Sequence, residues 1–395
     1  MSATDHYTII SSDTHAGGSH EQYRGYLEAE YLDEFDAWRN RYKNPFRDLQ
    51  AKGRERNWDD EQRVAEEHAD GIVAEVIFPN TVPPFFPTGQ VIAPAPSAAD
   101  FQLRLVGLRV HNRWLADFCA ARPNQRAGLA QIFLNDIDEA IADVRWAKDH
   151  GLAGILLPGV APNTEIEPLF SPAYDRLWAV CQELEMPITN HSGGTGIPDF
   201  GRYPATTLMF AMETAFFANR TLWHMVLSGV FERFPELVLV MTEQGSAWVP
   251  ETLMRMDGLH AQMASGRIGE LRAADLSLPM KPSEYFQRNC FVGASFPTPR
   301  EAASFTRIGL DKVMWGSDYP HDEGTPPYSR EALRRSFSSW AEDDMRKILG
   351  ANAARVYGFD LDALAPLAAE YGPTVAELTV PLDQRPQGAR SMAFM

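Results

Sequence analysis

The sequence predicts an α/β fold, a (β/α)8 TIM barrel with long loop insertions at its C-terminal face. Short apolar runs recur along the chain, and most lead into a segment with helical periodicity. Alternating strands and helices favour parallel pairing, and eight strands are the number that closes such a barrel. The predicted strands are Tyr7–Ser12, Ile72–Phe78, Ala127–Phe133, Gly154–Leu157, Pro187–Asn190, Leu237–Met241, Cys290–Val292 and Val313–Gly316.

Helical patterns lie between most of these strands. Apolar side chains recur at three- and four-residue spacing in Phe101–Ala121, and Asp136–Asp149 and Pro172–Glu185 behave similarly. Three longer segments interrupt the alternation, and each follows a strand at the end where barrel enzymes build their active sites. These segments are Ala16–Asp60, Pro79–Ser97 and Ser192–Thr207.

One domain accounts for most of the chain. We expect residues 1–358 to form a single barrel, with an insertion at about 16–60, and residues 359–395 to form a C-terminal arm. A short helical pattern followed by an irregular end suits either a surface arm or a dimer contact, and we expect a homodimer.

Composition and charge exclude several classes of partner. With 45% hydrophobic and 23% charged residues, the chain of 395 residues can bury a sizeable core. A net charge of −17 repels nucleic acid and anionic membranes. The start of the chain has no basic region followed by an apolar one, and the three cysteines are widely spaced. We therefore expect a cytoplasmic protein that binds a small molecule, without nucleic-acid or membrane partners.

The first predicted strand leads into a carboxylate and an imidazole. Asp13 and His15 are two residues apart, so their side chains face the same side of an extended chain. Both would point into the mouth of the barrel. A D-x-H pattern alone is weak, because a turn-forming aspartate beside a solvated histidine has the same sequence.

Two more candidate ligands lie at strand ends. His191 ends the fifth strand, in PITNHSGG, although a buried histidine with satisfied hydrogen bonds fits that position too. Asp318 follows the eighth strand, in VMWGSDYPH, where it could also cap a helix. Together the first, fifth and eighth strands place nitrogen and oxygen donors at one rim, as a catalytic metal site requires. No cysteine lies near them in the sequence, which argues against a structural thiolate site.

These motifs resemble the amidohydrolase superfamily, in particular the amidohydrolase-related branch with aminocarboxymuconate-semialdehyde decarboxylase and the resorcylate-type decarboxylases. The likeness covers roughly residues 7 to 358. Its strongest segments are ISSDTH, LVLVMTEQGSAWVPETLMRMD and MWGSDYPHDEG, and LSGVFERFPEL and ILGANAARVYGFD add to it.

The resemblance implies a barrel with one divalent metal ion, Zn²⁺ by expectation and Mn²⁺ as the alternative. It makes Asp13, His15, His191 and Asp318 the metal ligands, and Asp318 also the group that takes a proton from metal-bound water. Relatives commonly carry a histidine after the sixth strand, where this chain has Glu243.

Two further residues are predicted to act in catalysis. Glu243 can serve as an acid or base if burial raises its pKa, although it could instead brace the loop around Trp248. His321, three residues after Asp318, is placed to orient that aspartate or to contact substrate.

The predicted activity is that of a metal-dependent hydrolase acting on a small organic, aromatic-type substrate through activated water. Asp318 removes a proton from that water and Glu243 assists the leaving group. The alternative is a nonoxidative decarboxylase, which the ligand set supports equally; the missing histidine after the sixth strand favours hydrolysis. A third possibility, a metal-bound barrel that serves only in binding or assembly, is disfavoured by the complete ligand set.

Overall fold

The computed structural model describes residues 5–42, 53–88, 93–162, 164–193, 196–272 and 278–395. Residues 43–52 of the first predicted insertion, 89–92 of the second and 194–195 of the third lie outside this range. The strands within it are β1 Ile10–Ala16, β2 Ala74–Pro79, β3 Arg126–Gln131, β4 Gly154–Leu156, β5 Ile188–His191, β6 Leu239–Thr242, β7 Arg267–Ile268, β8 Leu271–Arg272, β9 Cys290–Ser295 and β10 Val313–Gly316.

Helices surround the strands. Those in the described residues are α1 His20–Arg24, α2 Leu32–Arg41, α3 Asp60–Ala69, α4 Phe101–Ala120, α5 Ile137–Asp149, α6 Asp175–Glu183, α7 Thr206–Leu227, α8 Val230–Arg233, α9 Val249–Met263, α10 Pro282–Asn289, α11 Pro299–Ala302, α12 Phe305–Ile308, α13 Ser329–Phe337, α14 Glu342–Arg346, α15 Asn352–Tyr357, α16 Leu361–Tyr371 and α17 Val375–Leu378. A π-turn at Lys347–Ala351 joins α14 to α15, and short 3₁₀ turns include Arg54–Asn57 and Met392–Phe394.

The main sheet is a parallel barrel. Its strands follow the order β1-β2-β3-β4-β5-β6-β9-β10, and β7 pairs only with β8 as an antiparallel hairpin. Between β10 and β1 the barrel is completed by a parallel bridge of Thr14 with Tyr319 and by the Asp318 amide, which donates to the Asp13 carbonyl at 2.9 Å. The predicted (β/α)8 barrel is confirmed.

Predicted strand boundaries differ from the observed ones at two functionally important places. The first strand runs over Ile10–Ala16 rather than Tyr7–Ser12, so Asp13 and His15 lie inside it. The seventh barrel strand continues to Ser295 instead of ending at Val292. In both cases the strand continues through small or polar side chains, so the apolar run ends before the strand does.

The barrel interior is apolar and closed at its N-terminal end. Side chains from alternating strand positions, including Val76, Leu129 and Met314, pack inside it. Tyr357 and Phe359, which follow β10 through α15, belong to the same buried cluster. The C-terminal face is left for polar side chains. A second, larger cluster fills the space between strands and helices.

The two ends of the chain are tied to the barrel. Near the start, the Tyr7 amide donates to the Pro373 carbonyl at 2.9 Å, and the Val375 amide donates to the Asp5 carbonyl at 2.8 Å. Beyond α17 the chain runs to the other face. There residues 388–394 and the 319–328 loop line a cavity of about 430 Å³ that His321 also borders.

All three cysteines lie in the interior of the fold. Cys119, Cys181 and Cys290 are buried and free of disulfides. In the described part of the chain, no helix combines the length and apolarity needed to cross a membrane.

Candidate metal centre and active site

The metal ligands predicted from three strands meet at the C-terminal rim. Donor atoms of Asp13, His15 and His191 lie within 4.8 Å of one another, and so do those of His15, Asp318 and His321. Asp13, His15 and Asp318 are at most 1% exposed, and His191 is 7% exposed. The sequence alternatives of a turn-forming Asp13 and a solvated His15 are therefore wrong.

His15 lies between two carboxylates. Its Nε2 is 3.4 Å from Asp13 Oδ1 and 3.3 Å from Asp318 Oδ1. Its Nδ1 lies 3.3 Å from the Pro79 carbonyl oxygen, which leaves Nε2 to face the carboxylates. His191 completes the group, with Nε2 3.4 Å from the same oxygen of Asp13.

Burial and neighbouring charges shift the pKa values of the side chains in this cluster. Burial alone lowers the pKa of His15, but the Asp13 and Asp318 carboxylates outweigh it and raise the pKa to about 10. Burial alone raises the pKa of both aspartates, but nearby histidine rings outweigh it. His191 and His15 hold the pKa of Asp13 below its ordinary value, and His321 and His15 do the same for Asp318. The buried carboxylates are therefore stabilised by neighbouring positive charge.

Two buried polar atoms in this group indicate that a cation fits between the side chains. His15 Nε2 and Asp318 Oδ2 are buried without a hydrogen-bond partner among the described residues. Unpaired buried polar atoms are costly unless a ligand satisfies them. Two carboxylates and two imidazoles form a mixed oxygen and nitrogen set that suits Mn²⁺ or Zn²⁺. The side chains present fit one divalent metal ion.

Asp318 adopts an uncommon backbone conformation at the end of β10. Its φ is 62°, and its Oδ1 accepts from His321 Nδ1 at 2.7 Å. The next helix begins only at Ser329. Asp318 therefore faces the site and does not cap a helix.

Glu243 follows β6 in a left-handed conformation, with φ 55°. Its carboxylate lies 3.5 Å from His191 Nδ1, and its side chain is 22% exposed. Burial, together with the charges of Asp318 and Asp13, raises its pKa well above the ordinary value. Trp248 Nε1 donates to the carbonyls of Gln244 and Gly245, so bracing of that loop falls to the backbone. The structure brings Glu243 to the site, as the sequence predicts.

Several residues that support the site were missed from the sequence. The Ser295 hydroxyl donates to Asp13 Oδ2. Asn80 Oδ1 lies 3.1 Å from His321 Nε2, and Arg63 donates to the His15 carbonyl at 2.8 Å. Ser295 and Asn80 end or directly follow strands, the same signal that identified His191 and Asp318.

Comparison with known proteins assigns the family. The sequence profile of the amidohydrolase family matches residues 35–359. This chain belongs to the amidohydrolase family. Gamma-resorcylate decarboxylase from Rhodococcus jostii (strain RHA1) is 28% identical over 286 residues, which cover 68% of this chain and 82% of that protein. The predicted membership in the decarboxylase branch of this family is confirmed.

Solved structures of other proteins share the fold. 5-Carboxyvanillate decarboxylase from Sphingomonas paucimobilis is 20% identical with a TM-score of 0.64, covering 90% of this chain and 100% of its own. A variant of the Novosphingobium aromaticivorans enzyme of the same name matches at 20% identity and TM-score 0.64, covering 90% and 98%. That structure contains manganese and 3-methoxy-4-hydroxy-5-nitrobenzoic acid.

The prediction of a hydrolase is wrong. Three relatives of this amidohydrolase-family chain, at 26–28% identity, are gamma-resorcylate decarboxylases, which supports the alternative that the sequence left open. Glu243 in place of a histidine after the sixth strand does not select hydrolysis, because the ligand set supports both reactions equally.

Proposed function

We propose that this protein is a metal-dependent nonoxidative decarboxylase of aromatic carboxylic acids of the hydroxybenzoate class. The observation that carries the proposal is the similarity to gamma-resorcylate decarboxylases over 81–82% of their length. The buried cluster of Asp13, His15, His191 and Asp318 supports it, because this reaction needs a fixed cation and a proton donor at one place.

Asp13, His15, His191 and Asp318 would hold one divalent cation. Mn²⁺ is the first choice, since a related structure contains it, and Zn²⁺ is the alternative. When bound, the cation would supply Lewis-acid chemistry to the oxygens of the substrate. Ser295 keeps Asp13 in place by donating to its second oxygen.

Asp318 is the proposed proton donor. Its ionised carboxylate first takes the proton of the ring hydroxyl beside the substrate carboxylate and then transfers it to the ring carbon that bears the carboxylate. The bond from that carbon to the carboxylate then breaks, its electron pair restores the aromatic ring, CO₂ leaves, and the product phenolate regains a proton from solvent. Asp318 is buried and held at Oδ1 by His15 and His321, which fixes the direction of transfer. Its Oδ2 has no hydrogen-bond partner among the residues described.

Glu243 and His321 have different tasks in this proposal. Glu243 lies beside His191 at the partly open side of the cluster and hydrogen-bonds a substrate oxygen. His321 orients Asp318 through the 2.7 Å contact between its Nδ1 and Asp318 Oδ1. Neither task requires an imidazole after the sixth strand.

Product analysis tests the proposal. The purified protein is loaded with Mn²⁺ and incubated with 2,6-dihydroxybenzoate or 5-carboxyvanillate in D₂O, and CO₂ and the product ring are measured. We expect one CO₂ per product and one deuterium at the vacated ring carbon. Asp318→Asn should lower the rate by about 100-fold or more.

A matched control separates catalysis from folding. Asp143 is a buried carboxylate on α5 that pairs with Arg109, and Asp143→Asn should leave the rate within about twofold. The proposal would be rejected if folded, metal-loaded protein released no CO₂ from any member of a full panel of hydroxybenzoates. Equal losses in the two variants would reject the role of Asp318.

A further inference from the structure

We propose that Asn57 and Asn80 are positioning residues that hold the His321 ring against Asp318. The inference rests on the proposed metal centre, and the two asparagines act on it through His321 without contacting the metal. It concerns a chain of side-chain hydrogen bonds that runs from the first insertion, across the end of β2, to the loop after β10.

The contacts form a continuous path. His321 Nδ1 lies 2.7 Å from Asp318 Oδ1, and its Nε2 lies 3.1 Å from Asn80 Oδ1. Asn80 Nδ2 donates to Asn57 Oδ1 at 2.6 Å, and Asn57 Nδ2 donates to the Arg54 carbonyl at 2.8 Å. Every distance lies within hydrogen-bond range.

The donor and acceptor in each of these hydrogen bonds follow from the bond at the Arg54 carbonyl. A backbone carbonyl only accepts, so Asn57 must turn its amide nitrogen towards Arg54. The remaining oxygen of Asn57 then accepts from the nitrogen of Asn80. Asn80 is thereby left with its oxygen facing His321, and both ring nitrogens of His321 meet acceptors.

Backbone hydrogen bonds fix the two asparagines beside the candidate metal ligands. The Asn80 amide donates to the Ala16 carbonyl at 2.9 Å, and the Gly17 amide donates to the Asn57 carbonyl at 3.1 Å. Asn57 and Asn80 are 1% and 2% exposed. Their side chains are therefore anchored to the end of the strand that carries His15, and they cannot exchange these partners for water.

The His321 ring depends on this anchor. Its side chain is 17% exposed and borders the open cavity, so burial alone does not fix its rotation. Acceptors on opposite sides of an imidazole define its ring plane. Loss of the Asn80 acceptor leaves His321 with the Asp318 hydrogen bond and the contact between its ring and that of His15, and Asp318 is then oriented less strictly. Changes in residues that orient a metal ligand typically lower metal affinity by about 10–100-fold.

A double-mutant cycle on metal binding tests this path without a substrate. The dissociation constant for Mn²⁺ alone is measured for the full chain, Asn80→Ala, His321→Ala and the double variant. We expect each single change to weaken binding by about tenfold or more. Because Asn80 acts through His321, the double variant should bind as His321→Ala does. Asn57→Ala should weaken binding in the same direction.

A buried asparagine outside the path serves as the control. Asn289 is 1% exposed and donates to the Pro235 and Leu237 carbonyls at the opposite end of the barrel. Asn289→Ala should leave the Mn²⁺ dissociation constant unchanged. Losses that add in the double variant, or an equal loss in Asn289→Ala, would overturn the proposal.

Histidine-selective ¹⁵N NMR of the metal-free protein gives an independent readout. A slowly exchanging Nε2–H signal, assigned to His321 by its loss in His321→Ala, should also be lost in Asn80→Ala and weaken in Asn57→Ala. Persistence in Asn80→Ala would overturn the proposal even if Mn²⁺ binding had changed. Failure of the wild-type protein to bind Mn²⁺ would reject the proposed function, while this signal would still decide the asparagine path.

Discussion

Two buried glutamates beside β1 should respond in opposite ways to the same substitution. Glu75 on β2 receives hydrogen bonds from Arg63 Nε at 2.9 and 3.0 Å and from the Thr14 hydroxyl at 2.7 Å. Arg126 Nε lies 3.2 Å from it. Glu67 on α3 lies 3.8 Å from Arg63 and next to Glu75. We expect Glu75→Gln to destabilise the protein and Glu67→Gln to be nearly neutral.

The expected magnitude follows from the ionisation of the two groups. Burial alone raises the pKa of Glu75, but Arg63, Arg126 and Thr14 outweigh it and lower the pKa from 4.5 to about 2. At ~1.4 kcal/mol per pKa unit, ionised Glu75 contributes about 3 kcal/mol at pH 7. Burial and the charge of Glu75 raise the pKa of Glu67 well above its ordinary value, which favours the neutral form of Glu67. An amide can replace a neutral carboxylic acid at a cost below about 1 kcal/mol.

Urea unfolding at several pH values measures both effects. A depressed carboxylate pKa gives stability that is complete above pH 4.5 and is lost as pH falls towards 2, and Glu75→Gln should lack this loss. The exposed pair of Glu139 with Arg109 gives a control, since Glu139→Gln should cost at most about 1 kcal/mol. Equal costs for Glu75→Gln and Glu67→Gln at pH 7 would refute this distribution of charge.

Three further outcomes are expected. Burial raises the pKa of Asp70 from 3.8 to about 6, so its contribution is favourable below pH 3.8 and is lost as pH rises through 6. Asp70→Asn should therefore raise the free energy of unfolding by about 1–2 kcal/mol at pH 7 but not at pH 3.5, as measured by urea unfolding. Chelation should abolish activity, and Mn²⁺ at about 100 times its dissociation constant should restore it and stabilise the fold by ~2.7 kcal/mol. Gly316→Ala would place a Cβ 2.6 Å from Asp13 Cβ and should weaken Mn²⁺ binding at least tenfold, whereas Gly258→Ala, with nothing within 4 Å, should not.

The sequence predicted those parts of the fold and site that have a local signal. Apolar runs located all eight barrel strands, since parallel strands buried on both faces are continuously apolar. His191 and Asp318 stood out because each follows such a run. Asp13 and His15 were identified although their strand was ended too early, because a two-residue spacing keeps side chains on one face wherever the strand stops.

Other features depend on contacts between distant segments. Nothing near Asn57 in the sequence indicates that it approaches Asn80, which pairs with it across 23 positions. Contacts between aromatic side chains are a second feature of this kind. Phe86 is fully buried and stacks on Phe133, and Phe85 lies against Trp38 of the first insertion. A single chain gives no signal for such pairings, because ring contacts have no fixed spacing.

The type of reaction was the feature hardest to predict from the sequence. Hydrolysis and decarboxylation use the same ligands, and only the similarity to whole relatives distinguishes them. Glu243 illustrates the difficulty. Its contact with His191 and its raised pKa are compatible with either reaction, so neither selects one.

The positions of the chain ends have a practical consequence for handling the protein. Asp5 lies beside Val375 below the barrel, whereas the last residues line the cavity beside His321. A purification tag fused after Met395 would therefore emerge next to the mouth of the site, with its charges or histidines within reach of added metal. Asp5, where the described chain begins, lies on the opposite face of the barrel, so metal titrations are best made with a tag at that end.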